Sequence, residues 1–297
     1  MKILCWNCRG LGNPRTVRFL QLLLKKEVPT MVFLVETKLD ARAMERIRCK
    51  LGLQRCFTVD RVGLSGGLAL LWVGEIQLQI KSFSRGHVDS IILSESGVAS
   101  WCFTGFYGNP IASLRSDSWE LLRRLQDQMH LPWLCAGDFN EILYAHEKSG
   151  MAARSQRQMD GFRQVLSDCD LADLGFEGAA FTWCNGRAGD GMIRERLDRC
   201  VVNERWLNSF PMARVYHLGG TSSDHLPILL DLEGVKAQMA HRPKYRKLYR
   251  FEAMWLREED CEGIITREWH QDSNLSGVEL VSGKLRAVAS QLQAWNW

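Results

Sequence analysis

Short apolar runs alternate with amphipathic segments at the start of the chain. Residues 2–7 (KILCWN) and 31–36 (MVFLVE) are apolar and short enough to be buried strands. Between them, residues 15–27 have apolar side chains at helical spacing and two lysines near the end, which predicts an amphipathic helix capped by Asn13. Pro29 would end this helix. The opening pattern is therefore strand, helix, strand.

The chain up to residue 233 continues this pattern around a middle section that contains only strands. A helix is predicted over about 40–50, with Asp40 as its cap. In the middle section, glycine and polar turns divide apolar runs that predict strands at 67–73, 76–83, 90–94 and 100–108. After it, the pattern predicts helices at 117–129 and 157–171 and strands at 133–140, 179–185, 196–203 and 224–232.

Alternating helices and strands predict an α/β protein. The many short strands favour two packed mixed sheets with helices outside, a four-layered α/β sandwich over residues 1–233. Residues 234–297 differ in character, because 236–250 contain six Lys/Arg and no acid before two helical segments. We interpret this basic stretch as a solvated linker. A nuclear-targeting or nucleic-acid-binding patch is the alternative.

Composition narrows the class of protein. Hydrophobic residues make up 46% of the 297 residues and charged residues 24%, which is normal for a globular protein with a sizeable core. The net charge of +4 permits a polyanionic partner without requiring one. Ten scattered cysteines, several in apolar runs, indicate a reducing compartment rather than a disulfide framework. Because no secretory signal or membrane-spanning run is found, we expect an intracellular protein that is not bound to a membrane.

Polar residues stand at the ends of most predicted strands. The stretch PWLCAGDFN at 132–140 shows this best, since a glycine follows the apolar run and two polar side chains come next. Residues two apart in an extended chain point the same way. The strand-end residues are Asn7, Glu36, Tyr107, Asp138, Asn140, Asp224 and His225, with Asp198 inside another strand. In layered α/β proteins, strand ends that meet form sites.

These residue types suit one kind of reaction. Carboxylate and carboxamide oxygens are ligands for a hard divalent cation such as Mg²⁺. Such an ion on a phosphodiester neutralises developing charge, and a nearby histidine can protonate or hydrogen-bond a phosphate oxygen. Each residue also has an ordinary alternative. Asp138 and Asn140 could form a plain turn, Tyr107 could pack in the core, and Asp198 could pair with Arg196 or Arg199.

The ordered motifs WNCRG, VETK, FYGNP, GDFNEIL, RLDR and SSDHLPI resemble the endonuclease/exonuclease/phosphatase superfamily. They are most similar to the apurinic-endonuclease-like domain of plant LINE (non-LTR) retrotransposon polyproteins. The resemblance covers residues 1–233 and implies a deoxyribonuclease-like fold. The segment YRFEAMWLREEDCEGIITREW also resembles the region before the reverse transcriptase domain. The chain stops before any polymerase, so we expect a truncated copy of such an element.

The resemblance implies a role for each matching position. Glu36 would be the principal metal carboxylate, with Asn7 and Asp224 beside it. Asp138 would orient or deprotonate the attacking water, and Asn140 would hold the phosphate or that aspartate. The implied ion is Mg²⁺, with Mn²⁺ as a substitute, and no other small-molecule cofactor is expected.

The remaining implied roles concern the phosphate and DNA. Tyr107 would contact the phosphate, His225 would stabilise its charge, and Asp198 would orient His225. Thr182 lies where related retroelement enzymes have a DNA-contacting hydroxyl. Arg9 occupies a position at which some apurinic endonucleases have an aspartate, so a second metal ligand is missing there and Arg9 could meet a phosphate instead.

The sequence therefore predicts a Mg²⁺-dependent phosphodiesterase, specifically a DNA-nicking endonuclease of LINE origin that acts in the nucleus. A phosphatase or an RNA nuclease of the same fold is one alternative. A decayed remnant that binds nucleic acid without cutting it is another.

Overall fold

A computed structural model gives the architecture. It describes residues 1–150, 153–220, 222–234, 255, 258–270 and 277–295. The chain divides into two compact units, Met1–Arg242 and Pro243–Trp297. The basic stretch 236–250 lies outside the described residues, so the predicted boundary at residue 233 stays a prediction.

The first sheet has seven strands in the order β11-β15-β16-β1-β2-β4-β3. Its strands are β1 (Lys2–Asn7), β2 (Met31–Val35), β3 (Arg55–Val62), β4 (Ser65–Trp72), β11 (Glu177–Gly178), β15 (Arg214–His217) and β16 (Ile228–Asp231). The central pair, β1 and β2, is parallel, and β16 runs antiparallel to β1 on its other side.

The second sheet has six strands in the order β10-β14-β8-β7-β6-β5. They are β5 (Leu78–Ser84), β6 (His87–Leu93), β7 (Ala99–Tyr107), β8 (Trp133–Asp138), β10 (Ala172–Asp173) and β14 (Asp198–Val202). Here β7 and β8 form the parallel pair. A small third sheet contains β9 (Lys148–Ser149), β12 (Trp183–Cys184) and β13 (Arg194–Glu195).

Helices cover the outer faces of both large sheets. Those of the first unit are α1 (Pro14–Glu27), α2 (Ala41–Leu51), α3 (Arg115–Asp127), α4 (Gln156–Asp168) and α5 (Glu204–Ser209). Buried residues of α1 and α2 pack on the first sheet, and those of α3 and α4 pack on the second. The predicted four-layered α/β sandwich with two mixed sheets is confirmed.

The core between the sheets forms because the apolar strands alternate their side chains. Ile3 and Cys5 of β1 point to the second sheet, whereas Leu4 and Trp6 point to the outer helices. Phe33 of β2 meets Phe103 of β7 edge-on, with ring centroids 6.1 Å apart. Apolar surface on both faces of each central strand fixes the register, since a slip of one residue would exchange the two faces.

Several elements differ from the sequence-based prediction. The strand expected at 179–185 is reduced to Trp183–Cys184, and that expected at 224–232 begins only at Ile228, after Pro227, which has no N–H to donate. Sequence patterning missed β3, β15 and α5. Strand β3 lies at the edge of its sheet and has charged side chains, which weakened its apolar signal.

The second unit contains two helices, α6 (Glu259–Trp269) and α7 (Gly277–Trp295). They pack through buried Cys261, Ile264 and Leu292 together with Trp255. Helices were predicted in this region. Among the described residues, no helix combines the length and the apolar composition that spanning a membrane requires.

Close contact between the two sheets depends on Gly105 in β7. A Cβ atom at this position would lie 2.4 Å from the ring of Phe33 in the opposite sheet. We expect Gly105→Ala to lower the free energy of unfolding by about 1–3 kcal/mol, because the overpacked ring must move. Urea denaturation would measure the change.

Gly161→Ala is the matched control. Gly161 lies in α4, and a Cβ atom at this position would have no neighbouring heavy atom within 4 Å. Alanine there should raise stability by up to about 1 kcal/mol through helix propensity. Equal effects of the two substitutions would contradict the proposed packing role of Gly105.

Candidate active site

The polar strand ends converge because both sheets bring parallel central strands to the same side of the molecule. Asn7 is the last residue of β1, and it pairs with Val35 directly before Glu36. In the second sheet, Tyr107 is paired with Asp138 at the ends of β7 and β8. Both sheets thus deliver their terminal polar residues to one place.

The histidine and its neighbours arrive from antiparallel strands. Asp198 begins β14 and pairs with Asp138. His225 lies shortly before β16, which runs antiparallel to β1. The indole Nε1 of Trp6 donates a hydrogen bond of 3.0 Å to the backbone oxygen of His225 and holds this loop against β1.

Asp138 is the centre of the hydrogen-bond network. Its Oδ2 accepts a hydrogen bond of 2.9 Å from Nδ2 of Asn7, and its Oδ1 accepts one of 2.8 Å from the backbone N–H of Asn140. Nδ2 of Asn140 donates to the carbonyl oxygen of Gly108 at 2.8 Å. Asp138 and Asn140 therefore form a turn that also fixes one carboxylate in the site.

Gly137 makes this placement possible. Its φ is +144°, and a Cβ atom would lie 2.1 Å from the carbonyl oxygen of Phe106 in the neighbouring strand. Only glycine tolerates this approach. The glycine that ends the apolar run before Asp138 is thus required for close packing of β8 on β7.

His225 lies between two carboxylates. Its Nδ1 is 2.9 Å from Oδ2 of Asp198, and its Nε2 is 3.8 Å from Oδ2 of Asp138. Burial favours the neutral ring, but the charges of Asp198 and Asp138 outweigh it and raise the pKa of His225 from 6.5 to about 9. The imidazole is therefore cationic at neutral pH.

Asp138 has an altered pKa as well. Burial raises the pKa of this carboxyl to about 6, although the charge of His225 and the hydrogen bond from Asn7 oppose the change. A carboxylate with a pKa near neutrality is suited to accept a proton from water.

Glu36 faces the cleft from the end of β2. Its Oε1 accepts a hydrogen bond of 2.8 Å from the hydroxyl of Tyr107 and one of 3.3 Å from Nδ2 of Asn7, and Oε2 lies 3.8 Å from Nζ of Lys38. Burial, followed by the charge of Glu36, raises the pKa of Tyr107 well above its usual value. The tyrosine therefore stays a hydrogen-bond donor.

The backbone is strained around these groups. Within the described part of the chain, six non-glycine residues have a positive φ, and four of them lie here: Arg9, Glu36, Lys38 and Asn140. The left-handed conformation is unfavourable for residues with a Cβ atom, and such residues cluster at functional sites. This clustering supports a functional role for the strand ends.

Asp224 lies in the same cleft, but its carboxylate is engaged by protein groups. Oδ2 forms an ion pair with Nη1 of Arg9 and accepts a hydrogen bond of 3.0 Å from Nε1 of Trp183. Oδ1 is 3.3 Å from the hydroxyl oxygen of Ser223.

Thr182 requires a correction. Its side chain is only 1% exposed, and its Oγ1 accepts hydrogen bonds of 3.0 Å from the backbone N–H groups of Leu197 and Asp198. The predicted contact with DNA is therefore wrong for this conformation, because the hydroxyl is buried beneath the site. Thr182 instead positions Asp198, which in turn holds His225.

The arginines beside Asp198 have other partners. Arg196 and Arg199 each form ion pairs with both Glu147 and Asp173, at 2.8–2.9 Å. The alternative that Asp198 pairs with these arginines is therefore wrong, because their carboxylate partners are Glu147 and Asp173. This buried group of four charges lies outside the cleft and supports the start of β14.

The cleft has a volume of about 650 Å³. Its lining includes Glu36, Asn140, Asp224 and His225 from the predicted set, and a group of basic side chains: Arg9, Lys38, Arg115, Arg154 and Arg187. Sequence reasoning missed all of these cations except Arg9. No local motif marks them, because they come from separate loops and from the start of α3.

The oxygen donors fit a divalent cation. Three groups with ligand atoms within 4.8 Å of one another are Asp138, Asp198 and His225, but all three are buried, His225 is hydrogen-bonded to Asp198, and Asp138 is hydrogen-bonded to Asn7. Glu36 is more accessible, with 22% of its side chain exposed, and Asn7 is directly beside it. Since Mg²⁺ usually takes one or two protein carboxylates and several waters, the Glu36 side of the site suits it better.

Comparison with known proteins gives the same fold. Residues 4–225 match the model of the endonuclease/exonuclease/phosphatase family. No curated protein matches the chain. Among solved structures, a 3′ phosphatase from Neisseria bound to a product DNA hairpin has a TM-score of 0.61 and 20% identity, covering 78% of this chain and 98% of its own.

Two further structures are similar. An AP endonuclease from Archaeoglobus fulgidus has a TM-score of 0.62 and 15% identity over 78% of this chain and 98% of its own. The endonuclease domain of TRAS1, a telomere-specific non-LTR retrotransposon, has a TM-score of 0.58 and 16% identity over 77% of this chain and 97% of its own. At these identities the likeness is one of fold.

The charge of Asp198 should control the protonation of His225. We expect Asp198→Asn to lower the pKa of His225 by at least about 1, because a neighbouring negative charge is lost. NMR titration of the imidazole C–H signal would measure it. Asp190→Asn, at an exposed loop position, is the control and should leave this titration unchanged. An unaltered pKa in Asp198→Asn would contradict the assigned contact.

The raised pKa of His225 also predicts how stability depends on pH. The folded-state pKa of about 9 exceeds the ordinary 6.5, so the protonated ring stabilises the fold fully below pH 6.5. This contribution is lost as the pH rises to about 9. Urea denaturation from pH 6.5 to 9 should show a decline of about 1–3 kcal/mol, and His225→Asn should remove that decline. A flat wild-type profile would be the contrary result.

Proposed function

Because the chain belongs to the endonuclease/exonuclease/phosphatase family, we propose that it is a divalent-metal-dependent phosphodiesterase, and specifically a DNA-nicking endonuclease. The observation that carries this proposal is the hydrogen-bonded set of Asn7, Asp138, Asp198 and His225, of which His225 lines a cleft that also has several basic side chains on its lining. Acid, base and phosphate-binding groups thus lie side by side.

Glu36 and Asn7 would hold the cation, which is Mg²⁺ or Mn²⁺ in this proposal. A divalent ion held there would neutralise charge on a phosphate oxygen. Tyr107 keeps Glu36 in place through the hydrogen bond from its hydroxyl, and we propose that it also contacts a phosphate oxygen.

Asp138 would take the proton of the attacking water. Its carboxylate is held by Asn7 and Asn140, and its pKa of about 6 leaves it ionised at pH 7 and able to accept a proton. In-line attack of the water oxygen on the phosphorus would break the bond to the 3′ oxygen, which would take a proton from solvent and leave as a 3′-hydroxyl. Asn140 fixes the orientation of this base.

His225 would donate a hydrogen bond to the scissile phosphate. Its pKa of about 9 keeps the ring charged, so it stabilises negative charge that develops on the phosphate oxygens. Asp198 positions the ring through Nδ1 and leaves Nε2 directed to the site. Asp198 would thus orient the ring while Asp138 accepts the proton of water, which explains why a carboxylate lies on either side of one imidazole.

DNA is the proposed substrate. The basic rim of the cleft suits a nucleic-acid backbone, and a structural relative from Neisseria is described in complex with a product DNA hairpin. The likeness to the TRAS1 endonuclease domain supports a retrotransposon origin. A LINE-derived nicking enzyme would act in the nucleus, which we propose as its location.

The proposed activity can be tested with supercoiled plasmid and Mg²⁺. We expect the wild type to produce nicked circles, and Asp138→Asn and His225→Gln each to lower the rate by about 10²- to 10⁴-fold, as loss of a general base or acid does. Glu120→Gln, on an exposed position of α3, should retain activity. Nicking that persists in both site variants would exclude the assigned mechanism.

A substrate panel separates the alternatives. Turnover of inositol phosphates or poly(A) in preference to duplex DNA would favour a phosphatase or an RNA nuclease of the same fold. Binding of duplex with a steep salt dependence, but no turnover with Mg²⁺ or Mn²⁺, would favour a decayed nucleic-acid-binding remnant.

A further inference from the structure

Arg9 occupies an unusual place in the cleft. It follows the end of β1 by two residues and has a φ of +48°, in the left-handed region. Its backbone N–H donates a hydrogen bond of 3.2 Å to Oδ1 of Asn7. The strained turn therefore fixes the start of the arginine side chain directly beside the proposed metal ligand Asn7.

The guanidinium is bound to Asp224 at one end. Nη1 forms the ion pair with Oδ2, while 59% of the Arg9 side chain and 15% of the Asp224 side chain are exposed. A guanidinium has five N–H donors, and this contact uses one nitrogen. The remaining donors lie at the surface of the cleft, where a phosphate can reach them.

Both oxygens of the Asp224 carboxylate already have hydrogen-bond donors within the protein. Arg9 and Trp183 both donate to Oδ2, and Oδ1 lies 3.3 Å from the hydroxyl oxygen of Ser223. A divalent cation at this carboxylate would have to displace Arg9. It would also experience repulsion from the guanidinium, because the two positive charges would share one small region.

We propose that Arg9 is a built-in cation of the active site. It holds the Asp224 carboxylate that would otherwise ligate a divalent ion, and it directs its remaining donors to a phosphate of the substrate. Asp224 then acts as a positioning residue for Arg9, and the free site takes a single divalent cation on the Glu36 side. This inference rests on the proposed phosphodiesterase function.

Mn²⁺ binding measures the metal part of this proposal without any turnover. Titrations followed by electron paramagnetic resonance would compare the wild type with Arg9→Gln, Asp224→Asn and the double variant. We expect Arg9→Gln to tighten Mn²⁺ binding about five- to tenfold or to add a second equivalent, since a positive charge leaves and a carboxylate becomes available.

The double variant makes the test specific to Asp224. The proposal requires Asp224→Asn alone to leave Mn²⁺ binding within about twofold of the wild type, and to remove the gain seen in Arg9→Gln. A marked loss of Mn²⁺ affinity in Asp224→Asn would identify Asp224 as a ligand in the resting enzyme and overturn the assignment. So would an Arg9→Gln variant whose affinity is unchanged.

Arg187→Gln is the matched control for charge. Arg187 lines the same cleft, and no ion pair with a carboxylate is present for it among the described residues. This substitution removes one positive charge without touching Asp224. An equal gain in Mn²⁺ affinity in Arg187→Gln would show a general field effect and would refute the special role of Arg9.

Binding of a short DNA duplex in EDTA tests the phosphate part. Arg9→Gln should weaken binding about three- to tenfold and reduce the salt slope by about 1, the effect of losing one phosphate contact. Arg9→Lys should recover part of the binding because it restores the charge. Unchanged binding in Arg9→Gln would overturn this part.

The Mn²⁺ titrations and the DNA-binding measurements together also distinguish this inference from the proposed function. If the wild type neither binds nor nicks DNA, the proposed substrate is wrong, and the Mn²⁺ cycle still decides whether Arg9 holds Asp224. Circular dichroism and a thermal unfolding curve for each variant would confirm that the fold is retained, as expected for a largely exposed arginine.

Discussion

The structure depends on the burial of charge between two sheets. Asp138 and Asp198 end or begin strands of one sheet, whereas Asn7 ends β1 of the other and His225 lies in the loop before its strand β16, and hydrogen bonds join all four across the gap. A buried carboxylate without partners would be very costly. The two sheets therefore have to meet in one arrangement, and the same contacts that satisfy the buried charges set the geometry of the site.

This requirement explains why residues of a particular size are needed around the site. Gly105 lets the sheets approach over the ring of Phe33, and Gly137 lets β8 approach β7 directly before Asp138. Beneath the site, Thr182 uses its hydroxyl to hold the backbone at Asp198. These residues determine whether His225 and Asp138 lie a few ångströms apart or are separated by solvent.

Much of the architecture could be predicted from the sequence, because apolar runs and helix caps are local signals. Asn13 and Asp40 cap their helices as expected, and the parallel strands β1, β2, β7 and β8 appear within one or two residues of their predicted ends. The convergence of strand-end residues was also predictable once the order of strands was known. The partners of Asp224 were not, since the contacts of Arg9 and Trp183 depend on loop conformations that no periodicity encodes.

The positive charge that the cleft presents depends on which of its basic side chains are paired with a carboxylate of the protein. Arg115 and Arg154 lie on its lining, but both contact the buried carboxylate of Glu141, so much of their charge is balanced within the protein. Arg9 differs because its carboxylate partner lies in the cleft itself and its side chain is mainly exposed. Asp224 holds one end of this guanidinium and leaves most of the side chain exposed to the cleft. In the proposed function, the exposed guanidinium would therefore attract a phosphate through its charge and its remaining N–H donors, while the turn after Asn7 fixes the backbone from which the side chain starts.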